Sequence, residues 1–383
     1  MEFRETSLAF HKSLDKKVRS DQGIYFTPKK VRDRLFQQLS NLAIHPASIL
    51  EPSFGTGEIL LDAIERYPVP CVGVERNPEL FASFQHPAET IHVDFLEWKD
   101  PRRFDLIVGN PPFVGCTQKS PALTGRSNTY ILFLYKCLTE HLAPGGTLAF
   151  ILPTSLYNSS YYEPMRKYLN EHTTIRWLET LEKPGFYDTT QETMLLVLQN
   201  TPGKGEYFFP YHRLYLSPYA TELIACVQGT TTLLKLGLGV KTGSIVWNQH
   251  KDSLDSTGTL LLYSSNVREG SGLIYPPLKL PKQQYIHSDK PTIDGPVILV
   301  SRGYGNTYRF HYALVEEKGF YAENHLNVIY PKTPESAVNL HQVLLGFQDP
   351  RLSLYLERFV GNGALSAREL EQIPIFKAPS KNG

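Results

Sequence analysis

The chain has few of the features that mark secreted, metal-binding or membrane proteins. Its 383 residues include four cysteines, and no two have the C-x-x-C spacing of a zinc site or form a disulfide framework. No apolar run is long enough to span a bilayer, and residues 1–20 lack the apolar core of a signal peptide. We therefore expect a protein that requires no metal, contacts no membrane and stays in the cytoplasm.

The sequence also lacks a strong charge excess. It has 39 basic and 38 acidic residues, which gives a net charge of +1, so composition alone does not indicate nucleic-acid binding. Any contact with DNA must use a local basic surface. A chain of 383 residues favours two domains over one hydrophobic core.

What the chain does contain is a regular alternation of short apolar runs and helical stretches between about residues 49 and 199. This alternation predicts an α/β fold with a doubly wound, Rossmann-like parallel sheet. The predicted strands are 47–51, 71–75, 90–94, 104–110 and 146–152, and the predicted helices include 57–67 and 130–142. The first four strands end at Glu51, Glu75, Asp94 and Asn110. Because ligands of such sheets bind beyond the carboxyl ends of the strands, these residues predict a single polar site.

The pattern changes after about residue 203, where short β-like runs and scattered aromatic residues replace the alternation. Strands are predicted near 258–263, 295–300 and 327–330, and amphipathic helices at 334–347 and 351–360. The segment 201–205 has the composition of a linker. We therefore predict a catalytic domain at 1–204 and a mixed α+β domain at 205–383.

The segment Asn110-Pro111-Pro112-Phe113 directly follows the fourth predicted strand. Two prolines make a rigid turn, in which the Asn110 side-chain oxygen and the Pro111 carbonyl can accept two hydrogen bonds from one amino group. Accepting both hydrogens of an adenine N6 amine would localise its lone pair for attack on a sulfonium methyl group. The alternative is a proline turn that merely ends a strand, but its position at a strand's carboxyl end favours the catalytic interpretation.

This segment resembles the Asp/Asn/Ser-Pro-Pro-Tyr/Phe/Trp signature of amino-group methyltransferases. Residues 50–57 (LEPSFGTG) are similar to their cofactor-binding loop, and residues 25–28 (YFTP) to the motif that precedes it in N6-adenine DNA methyltransferases. The motif order is that of the gamma group, in which a target-recognition domain follows. Residues 362–374 are similar to the closing segment of many such domains. The chain thus resembles the Taq-like and Eco57I-like type II modification methylases.

The resemblance implies S-adenosylmethionine as the cofactor and double-stranded DNA as the partner. It implies methylation of the N6 of a flipped-out adenine at a specific site, in a restriction–modification or epigenetic system whose cognate endonuclease would be a separate protein. The implied catalytic residues are Asn110, Pro111, Pro112 and Phe113. The implied cofactor residues are Thr27, Glu51, Pro52, Gly55, Gly57, Glu75, Asp94, Phe95 and Asn110.

Several of these residues have an alternative structural interpretation. Glu75 suits the hydroxyls of a ribose, but it could instead form a salt bridge to Arg76 or Arg66. Asp94 could accept from the cofactor's adenine amine or cap a helix. Thr27 precedes a proline, and Thr-Pro often opens a helix.

The flipped base needs an aromatic residue on each face, and Phe113 would supply one. Phe186 is the candidate for the other face, with Tyr187 as the alternative. In the second domain, Arg302 and Arg309 could contact guanine edges or phosphates and Asn306 an adenine edge, and Lys241 could contact a phosphate. The alternative for this group is a solvated sheet face.

Two rival functions stay open at the level of the sequence. The same chemistry could act on RNA or on protein glutamine, although the long second domain counts against a compact glutamine methylase. The chain could also be a catalytically silent DNA-binding specificity subunit. The intact residues 110–113 and Glu75 argue against a silent protein.

Overall fold

The computed structural model describes residues 2–125, 127–182, 185–186, 191–249, 251–268, 272–273, 284–303, 310–360 and 365–376. The chain divides into two compact units, Met1–Thr221 and Glu222–Gly383. Among the helices of the described ranges, none combines the length and hydropathy that crossing a membrane requires.

The first unit is built on a seven-stranded sheet. Its strands are β1 Ile49–Glu51, β2 Cys71–Glu75, β3 Glu89–His92, β4 Phe104–Gly109, β5 Leu142–Pro153, β6 Thr174–Leu181 and β7 Thr193–Gln199. Their order is β3-β2-β1-β4-β5-β7-β6, and β7 is antiparallel to both of its neighbours. The other pairs are parallel, so six of the seven strands end at one edge. The predicted doubly wound α/β sheet is confirmed.

Hydrophobic clusters cover both faces of this sheet. Successive residues of β5 alternate between them, since Ala149 and Ile151 belong to one cluster and Phe150 and Leu152 to the other, as the pleat of a strand requires. The helices of the unit are α1 Glu5–Ser13, α2 Lys16–Gln22, α3 Lys29–Asn41, α4 Glu58–Arg66, α5 Pro78–Ser83, α6 Thr129–Lys136 and α7 Glu163–His172. Helices α3 and α4 pack on one face, and α6 and α7 on the other.

Helix α6 is shorter than the predicted 130–142. A π-helical turn, Cys137–His141, follows it, and the Leu142 N–H bonds to the carbonyl of Cys137 five residues earlier. The wider turn leads the chain directly into β5 at Leu142.

The first unit also extends beyond the predicted boundary at residue 204. A hairpin of Phe208–Pro210 and Leu214–Leu216 follows β7. It bonds back to the unit through the Leu216 N–H and the Tyr157 carbonyl, 3.0 Å apart. Phe208 and Leu216 are buried in the same hydrophobic cluster as β5. The linker-like segment 201–205 is therefore a turn within the first unit, and the compact unit ends at Thr221.

The second unit is a mixed α+β structure. Its four-stranded antiparallel sheet contains β8 Leu238–Thr242, β9 Val297–Ser301, β10 Tyr312–Val315 and β11 Leu326–Pro331, in the order β8-β11-β9-β10. A smaller sheet contains Leu254–Asp255, Thr259–Leu262, Tyr285–Ile286 and Tyr321–Ala322. The helices are α8 Ala220–Val227, which begins just before the division, α9 Asn339–Phe347, α10 Pro350–Tyr355 and α11 Ala367–Glu371.

Candidate active site

A pocket opens at the carboxyl ends of β1, β2 and β4. Six of the predicted site residues line it: Pro52, Gly55, Glu75, Phe95, Asn110 and Pro112. The segment Gln22–Phe26, which precedes α3, adds a further wall. The parallel strands thus bring together residues that lie far apart in the sequence.

Glu75 fixes the loops on either side of it. Its two carboxylate oxygens accept the backbone N–H groups of Gly55, at 2.9 Å, and Asn77, at 2.7 Å. Burial raises the pKa of Glu75, although these backbone donors oppose the shift. Gly55 has a φ of 58°, and no atom lies within 4 Å of the position that a Cβ would occupy, so the loop leaves open space beside the carboxylate. Neither alternative arginine is its ion-pair partner, because Arg76 pairs with Asp94 at 3.5 Å and Arg66 with Asp33 at 3.5 Å.

Glu51, at the end of β1, lies out of contact with solvent. Its side chain is buried, it is absent from the pocket lining, and its Oε2 has no hydrogen-bond partner. Burial raises its pKa well above the ordinary value, and the negative charge of Glu75 raises it further. A neighbouring positive charge would lower this pKa again.

Asn110 is held by one end of its side-chain amide. Its Nδ2 donates to the Thr27 hydroxyl at 3.2 Å and to the Tyr25 carbonyl at 3.4 Å. Its Oδ1 is buried and has no hydrogen-bond partner. Both amide hydrogens are thus engaged, and an unpartnered acceptor is left at the pocket.

The turn that carries Asn110 is supported from two sides. The Thr129 hydroxyl, at the start of α6, donates to the Pro112 carbonyl and accepts from the Val114 N–H. Gly23 has a φ of 70°, and a Cβ there would lie 2.9 Å from the Pro112 Cβ. Only glycine allows this close approach.

The two predicted stacking residues lie in different surroundings. Phe113 is partly exposed and meets the Tyr130 ring edge-on at 5.9 Å. Phe186 packs against the hydrophobic cluster on the opposite face of the sheet, and neither ring lines the pocket. The loop of Phe186 nevertheless leaves the carboxyl end of β6, at the same sheet edge as the pocket. Tyr187 lies outside the described residues.

Two further predicted cofactor residues have evident structural roles. Strand β3 ends at His92, and the Asp94 carboxylate accepts the Leu96 N–H at 2.9 Å within a turn at residues 95–97, where no helix begins. Asp94 does not line the pocket, although its neighbour Phe95 does. Gly57 has a φ of 88°, and a Cβ there would lie 2.4 Å from the Phe84 ring, so this glycine is needed for packing.

A buried ionic network lies beside the pocket and was not predicted. Arg32 in α3 pairs with Glu58 at 2.7 Å and with Asp62 at 2.8 Å, both in α4. Arg4 also pairs with Asp62, and the Arg32 guanidinium donates to the Thr27 carbonyl at 2.6 Å. The network joins the N-terminal segment to the helix that follows the glycine loop. The signal in the sequence is the pair of acidic residues four positions apart on α4, which places them on one helix face.

The candidate DNA-contacting residues of the second unit differ from one another. Lys241, in β8, is exposed, and its ammonium lies 5.4 Å from the centre of the Tyr330 ring. The Arg302 guanidinium instead donates to the Asn324 carbonyl at 3.0 Å. Asn306 and Arg309 lie outside the described residues. Within the described ranges, no group of three acidic, cysteine or histidine side chains could hold a metal ion.

The strand order and the position of the pocket define the fold of a class I S-adenosylmethionine-dependent methyltransferase. The family of Eco57I restriction-modification methylases matches residues 73–186. Modification methylase CviBIII of Paramecium bursaria Chlorella virus NC1A is 32% identical over 98% of this chain and 99% of that protein. Type II methyltransferase M.CvrRI of Paramecium bursaria Chlorella virus XZ-6E is 31% identical, with the same 98% and 99% covered. The chain belongs to the type II modification methylase family, which confirms the predicted resemblance.

Among solved structures, the M protein of the type I restriction enzyme EcoKI is similar to part of this chain. It is 19% identical, with a TM-score of 0.39, over 49% of this chain and 45% of that protein.

Proposed function

We propose that this chain is an S-adenosylmethionine-dependent DNA methyltransferase that methylates the exocyclic N6 of an adenine flipped out of the duplex at a specific sequence. The observation that carries the proposal is the Asn110 side-chain oxygen, which is buried at the pocket and has no hydrogen-bond partner. The nitrogen of the same amide is bonded to Thr27 and Tyr25, which fixes the direction of the oxygen. The two viral relatives, each named as a methyltransferase or modification methylase, support DNA as the substrate.

The residues of the pocket fit the proposed cofactor. Glu75 presents a buried carboxylate to a ribose, and the open space at Gly55 admits a ligand close to the backbone. The carboxylate of Glu75 at the pocket favours a positively charged ligand, and a cation bound there would lower the raised pKa of Glu51. When bound, S-adenosylmethionine supplies a methyl group on a positively charged sulfur.

The catalytic turn would prepare the target amine. Asn110 Oδ1 and the Pro111 carbonyl accept both N6 hydrogens, which draws the nitrogen lone pair out of the ring system and towards the methyl group. The cofactor would supply the methyl group and its sulfur would keep the bonding electron pair as a neutral thioether, and the extra proton on N6 would pass to water. The protein contributes position and fixed hydrogen-bond acceptors, with no covalent enzyme intermediate.

Base stacking is assigned to Phe113 first, because it belongs to the rigid turn itself. Phe186 would complete the other face only after leaving the hydrophobic cluster against which it packs. Sequence choice is assigned to the second unit, because the family resemblance implies a target-recognition domain that follows the catalytic one.

The proposal is tested by single-molecule sequencing of DNA from a methylation-free host that expresses the chain. We expect N6-methyladenine at one sequence motif with the wild-type protein and none with Asn110→Ala. The matched control is Asn41→Ala, an exposed asparagine at the end of α3, which should methylate as the wild type does. Modification of cytosine N4, or methylation found in RNA or protein glutamine and absent from DNA, would overturn the proposal.

A further inference from the structure

Thr27 and the Tyr25 carbonyl form a buried holder for the catalytic amide. Thr27 is 4% exposed, and its hydroxyl lies 3.2 Å from Asn110 Nδ2. The Tyr25 carbonyl lies 3.4 Å from the same nitrogen. We infer that Thr27 is a positioning residue, which acts through Asn110 to keep its side-chain oxygen directed at the substrate amine. This inference rests on the proposed function.

The chemistry of the two contacts explains why a holder is needed. A primary amide has a donor end and an acceptor end of nearly the same shape, and a reversed Asn110 would present N–H groups to an amine that itself donates. The Tyr25 carbonyl can only accept, so it excludes the reversed amide. The Thr27 hydroxyl adds a second contact and fixes the plane of the group.

The holder is itself anchored. Pro28, with a φ of −60°, follows Thr27 and leads directly into α3. The buried Arg32 guanidinium donates to the Thr27 carbonyl at 2.6 Å. A catalytic group supported by a second layer of fixed partners is pre-organised for its reaction.

This role differs from cofactor binding, which the resemblance implies for Thr27. Tyr25 and Phe26 line the pocket and Thr27 does not, and its hydroxyl contacts Asn110. The two roles predict opposite kinetic effects. A positioning residue changes the methyl-transfer step, whereas a cofactor ligand changes affinity.

The experiment compares Thr27→Val, which removes the hydroxyl and keeps the shape, with Thr27→Ser, which keeps the hydroxyl. Single-turnover methyl transfer to duplex DNA is measured at saturating cofactor, and calorimetry gives the Kd for S-adenosylmethionine. We expect Thr27→Val to slow transfer roughly 5- to 30-fold, the effect of losing one hydrogen bond. Its Kd should change less than about twofold, and Thr27→Ser should restore most of the rate.

Thr173→Val is the matched control. Thr173 is also buried, and its hydroxyl bonds the Leu169 carbonyl at 2.7 Å, at the end of α7. This variant should lose comparable stability and keep the wild-type transfer rate. An equal slowing in both variants would show a general loss of stability and overturn the inference.

Two other results would also overturn it. A raised Kd with an unchanged rate at saturation would make Thr27 a cofactor ligand, and a Thr27→Ser variant as slow as Thr27→Val would reduce the residue to packing.

If the wild-type protein transfers no methyl group to DNA, the proposed function fails. The contact is then decided by the side-chain amide signals of Asn110 in ¹⁵N-asparagine-labelled protein, identified by their loss in Asn110→Ala. Thr27→Val should shift these signals, and unshifted signals would refute the contact.

Discussion

The two units of the chain differ in how they place their polar side chains. In the first unit, parallel strands end at one edge, so Glu75 and Asn110 share a pocket although 35 positions separate them. In the second unit, the strands of the main sheet are antiparallel and their ends alternate between two edges. Lys241 is exposed there, while Arg302 bonds to a backbone carbonyl. The parallel strands of the first unit thus bring polar side chains to one edge of the sheet, whereas the antiparallel strands of the second unit spread them over two edges.

This contrast separates two kinds of task. A buried pocket allows each polar group to be assigned by its partners, as with the Asn110 amide, whose nitrogen is bonded and whose oxygen is not. An exposed sheet face offers a weaker test, because the Lys241 ammonium lies beside the Tyr330 ring and is also open to solvent.

The first unit should be independently stable only when it includes its terminal hairpin. A fragment of residues 1–221 should unfold cooperatively and bind S-adenosylmethionine with the affinity of the full chain, but should not select a DNA site. A fragment of residues 1–204 loses the buried Phe208 and Leu216 and the Leu214 carbonyl that accepts from Arg166. We expect it to be less stable by at least about 3 kcal/mol, measured by urea unfolding.

If the two fragments were equally stable, the hairpin would add nothing to the first unit, and the end of that unit would lie at residue 204 as predicted. Selection of the full-length site by the 1–221 fragment would refute the assignment of sequence choice to the second unit.

Glu75→Ala should raise the Kd for S-adenosylmethionine by at least about 100-fold, measured by calorimetry. The variant removes a charged acceptor and also frees the backbone N–H groups of Gly55 and Asn77. Glu79→Ala is the control, since Glu79 is an exposed carboxylate in the adjoining helix α5. Wild-type affinity in Glu75→Ala would remove this residue from the cofactor site.

Glu51→Gln should stabilise the cofactor-free protein by about 1–3 kcal/mol near neutral pH. The raised pKa of Glu51 means that the folded protein holds this proton more tightly than the unfolded chain. The stability of the wild type therefore falls as the pH rises from about 4.5, the ordinary pKa of the group, through the raised folded value. Glutamine does not ionise, so the difference between the two proteins should grow from pH 5 to pH 8 in urea unfolding. A difference that shrinks with rising pH would contradict the assignment.

The smallest effects are expected in the second unit. Lys241→Ala should weaken DNA binding roughly two- to fivefold, as the loss of one phosphate contact, and change stability by less than about 0.5 kcal/mol. Arg302→Ala should instead cost about 1–2 kcal/mol of stability, because its bond to the Asn324 carbonyl is lost. Fluorescence anisotropy and urea unfolding separate the two effects. An altered recognition sequence in Arg302→Ala would show that this arginine reads bases.

The sequence predicted the sheet and the groups that its strands present. A strand followed by a carboxylate or an amide is a local pattern, so Glu75 and Asn110 could be placed before their partners were known. Fold class needed only the alternation of apolar and helical segments, which the seven-stranded order confirms.

Contacts between distant segments could not be predicted in the same way. Thr27 and Asn110 are 83 positions apart, and nothing local in either segment indicates the bond between them. The position of Phe186 depends on which face of the sheet its loop follows, and the hairpin after β7 depends on the hydrogen bond from the Leu216 N–H to the Tyr157 carbonyl. The predicted end of the third strand at Asp94 was wrong, because β3 ends at His92.

Because the ion pairs of Arg32 are buried, the cofactor site and the proposed DNA contacts should respond differently to ionic strength. The Arg32, Glu58 and Asp62 side chains are 4–7% exposed, so dissolved ions screen them little, whereas the proposed DNA contacts at exposed cations such as Lys241 weaken strongly as salt rises. Concentrated salt should therefore detach the protein from DNA while the N-terminal wall of the pocket stays in place. The cofactor site would persist under conditions in which the substrate is released.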